Sequence, residues 1–138
     1  AVVSGAKMDS SSIDLPGSEV ESIRFEEGRL VLHFSRALIT KTMSGSREHT
    51  RWWQAGDMVF EGAVVDGELP DCPCVCSGGD VGENIYTYRD MIPLPLTSKG
   101  RSHCDLGFKG TERRLRVAAE SLALNMEDRP HYIEHVRA

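Results

Sequence analysis

The chain has no excess of positive charge. Its 138 residues carry 16 lysines and arginines against 21 aspartates and glutamates, a formal net charge of -5. That argues against a general nucleic-acid binder, which presents a basic face to the phosphate backbone. No apolar run nears the roughly 20 residues of a membrane-spanning helix, so no membrane role is expected. Residues 1–19 lack the basic start and apolar centre of a signal peptide. There is no phosphate loop, no dinucleotide fingerprint, no Gly-x-Ser-x-Gly elbow and no His-Glu-x-x-His pair. No segment sustains a helical period. Arg113 to Met126 could pass for a helix on propensity alone, through Ala118, Ala119, Glu120 and Leu122, but its alternation argues for strands.

Cysteine is scarce and oddly placed. The four thiols are Cys72, Cys74, Cys76 and Cys104. Residues two apart on an extended chain sit near the upper limit of disulfide span, so the first three do not read as a secreted disulfide framework. A reducing, cytoplasmic setting is the expectation. Cys72, Cys74, Cys76 and Cys104 could together form a four-sulfur zinc site, but zinc cysteines are normally spaced by two to four residues in a knuckle turn. Cys104 also shares the parity of Leu106 and Phe108, a core position. The favoured reading is four ordinary thiols and no cofactor, with a zinc-stabilised domain as the alternative.

What the chain has is strict alternation. Cys104, Leu106 and Phe108 share one parity; so do Leu115, Val117 and Ala119 after Gly110, and Leu122, Leu124 and Met126 after Ser121. Period two repeated three times predicts half-buried β-strands. It places Asp105 opposite Arg116 and Leu106 opposite Leu115, with a parity change at Glu120-Ser121. Residues 20–40 read as a hairpin turning at Glu27-Gly28, with Ile23, Phe25, Leu30, Leu32 and Phe34 inward and Glu26 facing Arg29. Residues 41–51 read as a polar loop. Trp52-Trp53-Gln54 and Met58–Val65 read as strands, the second buried on both faces. Asp66-Gly67 and Ser77-Gly78-Gly79-Asp80 read as turns, with Leu69 to Cys76 irregular. Pro93 and Pro95 strip donors from one side of the Leu94 strand, which predicts a sheet margin.

These signals predict an all-β fold, a meandering antiparallel barrel or a two-layer β-sandwich of roughly eight to ten short strands. Residues 1–19 are expected to be a flexible lead-in, with Met8 a candidate native start, and residues 20–138 a single β domain. The succession Trp53-Gln54, Gly62, Leu69-Pro70, Ser77-Gly78-Gly79, Tyr88, Ile92-Pro93-Leu94-Pro95-Leu96, Gly100, Leu106, Phe108 and Tyr132-Ile133-Glu134 resembles a group of small bacterial β-rich proteins of unknown function, over residues 52–136. The resemblance implies a compact β domain and brings no activity and no site.

Candidate functional residues are few. Trp52 and Trp53, with Arg51, His49 and Arg47, could form a stacking platform. Neighbouring strand residues point to opposite faces, so one indole is expected in the core and the other outward, where a tryptophan marks a partner or dimer surface. His103, Asp105, Arg114 and Arg116 share an outward face and could bind an anion or do acid–base work; a solvated face with a cross-strand ion pair is the favoured reading. His131 and His135 read as surface residues. The functional expectation is a non-enzymatic binding or self-assembly module, pairing with itself or a protein partner, with a metal-stabilised domain or an unrecognised enzyme as alternatives.

Overall fold

The computed structural model describes residues 10–42 and 48–136. Every regular element among them is a strand: β1 Ser10–Glu26, β2 Arg29–Thr42, β3 His49–Glu61, β4 Val64–Asp66, β5 Cys74–Glu83, β6 Tyr86–Arg89, β7 Met91–Leu94, β8 Thr97–Ser98, β9 Ser102–Phe108, β10 Leu115–Ala119, β11 Ser121–Met126 and β12 His131–Val136. The all-β expectation holds, with twelve strands rather than eight to ten. They form one antiparallel sheet in the order β4-β10-β9-β5-β1-β2-β3-β11-β8, with β12 on β3, β6 on β5 and β7 on β1. The sheet curls into a half-barrel. No helix among the described residues is long and apolar enough to cross a membrane.

Three long strands carry the architecture. The β1–β2 hairpin has the predicted register, with Glu26 opposite Arg29, Phe25 opposite Leu30 and Ile23 opposite Leu32. Its two turn residues, Glu27 and Gly28, both have positive φ (49° and 77°), the mirror-image turn whose twist matches that of the strands. Leu30, Leu32 and Phe34 are fully buried, but Phe25 is 41% exposed, against expectation. The cause is the sheet margin: near the hairpin tip β1 has β2 as its only neighbour among the described residues. The lead-in is also corrected. Residues 10–19 belong to β1, where Ile13 and Leu15 are fully buried; residues 1–9, with Met8, lie outside the described residues. Pro16-Gly17 marks a bulge within the strand. The Ser18 hydroxyl fills the broken ladder, donating to the Asp14 carbonyl at 2.6 Å and accepting from the Leu38 N–H at 3.0 Å. The 41–51 loop is shorter than expected, because Lys41 and Thr42 end β2 and His49 begins β3; residues 43–47, including Arg47, lie outside the described residues.

The curl is joined along one seam. β3 runs into β4 and β10 runs into β11, and a single register spans both pairings: Arg116 faces Asp66, and Ser121 faces Glu61. Both segments bend together. Gly62 turns with φ 60°, and the Glu120 N–H donates to the Glu61 carbonyl at 2.9 Å. This bend produces the parity change read at Glu120-Ser121. β9 and β10 pair as predicted, Asp105 with Arg116 and Leu106 with Leu115, the leucines fully buried. Ser77-Gly78-Gly79-Asp80 is not a turn but the middle of β5. The inner face gathers Ile13, Leu15, Leu32, Phe34, Met58, Phe60, Leu106 and Leu122 into one core. Each such side chain contributes roughly 1.5–3 kcal/mol relative to exposure.

Among the described residues β7 pairs with β1 alone, Ser12 opposite Pro93 and Ser11 opposite Leu94. The proline-bearing strand is therefore a margin, as its missing N–H groups require. Replacing both Pro93 and Pro95 by valine is expected to raise light scattering at matched concentration, because the restored donors let a second chain extend the sheet. Unchanged monodispersity would remove the protective role.

Candidate functional site

The tryptophans divide as alternation requires. Trp52 lies on the inner parity of β3 and packs against the core. Its ring meets Tyr132 of β12 edge-on at 5.2 Å, carries the Lys41 ammonium at 4.4 Å, and its indole N–H donates to the Thr50 hydroxyl at 2.8 Å. Trp53 points outward between two neighbouring strands. His131 of β12 stacks on it at 4.2 Å, and the Arg36 guanidinium of β2 lies 4.7 Å from its centroid. Arg51 pairs with Glu134 at 3.6 Å, and His49 lies opposite Val136. The platform read from His49, Arg51, Trp52 and Trp53 is thus the seat of β12, the chain's own last strand. Five of the six β12 residues are exposed.

Beside this seat the inner face is left open. A cavity of about 400 Å³ is lined by Ile39 of β2, Leu94 and Pro95 at the end of β7, Leu124 and Met126 of β11, and Pro130, with Ser11, Gln54 and Lys41 as its polar members. Leu94, Leu124 and Met126 are only partly buried, whereas the same face one turn of the curl away is closed. The Gln54 amide is committed elsewhere: it donates to the Glu127 and Asp128 carbonyls at 3.0 and 3.2 Å and pins the turn that leads into β12. Lys41 is the one ionisable group in this lining. Such a site can hold an apolar body and attract an anionic end.

The His103 set does not assemble. Asp105 is held by Arg114 at 2.6 Å and Arg116 at 3.7 Å, the ion-paired face expected. His103 lines an outward groove with Arg101 and Glu120 and makes no side-chain hydrogen bond among the described residues. A cluster the sequence reading missed sits on the outer face: His33 Nδ1 lies 2.6 Å from Asp57 Oδ1 and 3.5 Å from Glu127 Oε2. His33 and Asp57 are cross-strand partners on β2 and β3. Only the register of that pair, which no turn signal fixes, could have revealed it.

The thiols separate into two kinds. All four are free. Cys76 and Cys104 are buried; Cys72 and Cys74 are half-buried, their sulfurs 3.8 Å apart. No three of the four sulfurs lie within 4.8 Å of one another. Burial, then the neighbouring Cys72, pushes the Cys74 thiol up from its ordinary 9.0 to about 12. Burial also raises Cys76 and Cys104. The folded protein therefore holds protons that the unfolded chain releases. This stabilisation is complete below pH 9 and is lost as pH rises toward about 12. The denaturation midpoint is expected to fall more steeply across that window in the parent than in Cys74→Ser, measured by urea titration at each pH. Identical pH dependences would contradict the assignment to Cys74.

Comparison with protein-family models, with curated proteins and with solved structures returns no match.

Proposed function

We propose that the protein is a non-enzymatic binding module that takes a small amphiphile, apolar body inward and anionic end toward Lys41, into the open mouth of the half-barrel. One observation carries this reading: the cavity between β2, β7 and β11 is apolar, with Lys41 as its one ionisable group. Ligand sites are typically concave, mostly apolar and furnished with a few placed polar groups, and barrel mouths are a recurrent location. Trp52, in contact with the Lys41 ammonium, supplies the readout. Titration with decanoate is expected to change tryptophan fluorescence saturably, with one site by calorimetry. A linear, unsaturable response would end the reading.

A second reading, self-assembly, rests on β12. Among the described residues this strand has β3 as its one neighbour, and its Tyr132 and Ile133 are 57% and 42% exposed. A strand margin with unpaired backbone groups and exposed apolar side chains favours a second chain. Sedimentation over a concentration series is expected to show a mass increase that Ile133→Lys suppresses. A concentration-independent monomer would exclude it.

A further inference from the structure

We propose that Cys72 and Cys74 form a two-sulfur site for a thiophilic monovalent cation of the copper(I) class. The sequence offers four thiols, but the fold brings only two into ligating distance with access to solvent. The Cys72 and Cys74 sulfurs are 3.8 Å apart and both residues are half-buried, while Cys76 and Cys104 are buried. At metal–sulfur bonds of about 2.3 Å, two sulfurs 3.8 Å apart subtend about 110° at the metal. That angle suits a three-coordinate ion, so the pair closes on copper(I) either with a third, exogenous ligand or by spreading toward the linear geometry of a two-coordinate ion. Cys74 opens β5 and is anchored by the Val20 pairing on β1. Cys72 precedes the strand and its thiol contacts the Pro70 carbonyl at 3.8 Å, so it is the sulfur free to adjust.

The ion class follows from the number of donors. Structural zinc takes four protein ligands, and here a second pair does not converge. Copper(I) is soft, prefers thiolate, and is satisfied by two or three sulfurs. Binding balances without any electron transfer: each thiol gives up its proton, two metal–sulfur bonds form, and the bis-thiolate complex carries one net negative charge. Because each thiol must release its proton on binding, uptake tightens as pH rises.

The test is anaerobic competition of the full, reduced chain against a coloured copper(I) chelator, followed by the ultraviolet thiolate-to-copper(I) absorption. One equivalent is expected to transfer to the protein. Cys72→Ser and Cys74→Ser should each weaken retention at least tenfold, while Cys76→Ala and Cys104→Ala leave it unchanged. A parallel titration with zinc against a chromophoric zinc chelator should show no stoichiometric retention. Failure of the parent to withdraw copper(I), equal loss in the Cys104→Ala variant, or one-equivalent zinc binding that needs all four cysteines would each overturn the proposal.

Discussion

Gly79→Ala is expected to destabilise the fold by about 3 kcal/mol or more, from backbone strain and overpacking together. Gly79 lies in the middle of β5 opposite Leu106 of β9. A Cβ there would stand 2.2 Å from the Asp105 carbonyl oxygen and 2.8 Å from the Leu106 Cα, both backbone atoms. The residue cannot retreat. Its N–H donates to Asp90 Oδ1 at 2.9 Å and its carbonyl accepts from the Asp90 N–H at 2.7 Å, so the chain before β7 grips it from the other side. Its φ of 144° adds a conformation that alanine resists. Gly82→Ala, three residues on in the same strand, is the control. The three atoms nearest its new Cβ all belong to the His103 ring, an exposed side chain that can swing away, so a loss under about 1 kcal/mol is expected. Urea midpoints of the two variants decide it; equal losses would show that the β5–β9 approach is not the constraint.

Leu124→Glu is expected to weaken decanoate binding at least tenfold, or about 1.4 kcal/mol. The side chain lines the mouth and is partly exposed, so the fold tolerates a carboxylate there. The bound alkyl chain gains about 0.8 kcal/mol per buried methylene, less the cost of association. A carboxylate in the lining removes part of that gain and repels the ligand's own charge. Lys41→Gln separates the two contributions. It should weaken decanoate but leave the neutral alcohol decanol unaffected, because only the anion uses the ammonium. Equal effects on both ligands would remove Lys41 from recognition and leave a purely apolar cavity.

The sequence disclosed the fold where turn chemistry and alternation agreed. Glu27-Gly28 set the β1–β2 register, and the run from Cys104 to Met126 set β9 to β11, down to the parity change at Glu120. It concealed what depends on distant pairing. Pro16-Gly17 resembles a chain entering its first strand, yet it sits inside one, because Ser18 and the matching shift in β2 absorb the bulge. Ser77-Gly78-Gly79-Asp80 has turn composition, yet Gly79 admits the β9 backbone at close range and Gly78 the Asp90 carboxylate. The tryptophans were readable as an inward and an outward pair, but nothing local announces that β12 occupies both. The mouth was least legible. Leu94, Leu124 and Met126 each look like core positions in their own strands, yet the folded sheet leaves them partly exposed around the cavity that buried Ile39 also lines.

Methyl and backbone NMR of the protein titrated with decanoate tests the binding reading most directly. Saturable shifts are expected at Ile39, Leu94, Leu124 and Met126, with Trp52 and Lys41 responding as the anionic end arrives. Shifts confined to a separate groove lined by Arg24, Glu26, Arg29, Asp57 and Glu61, or none at all, would contradict the assignment of the mouth as the binding site.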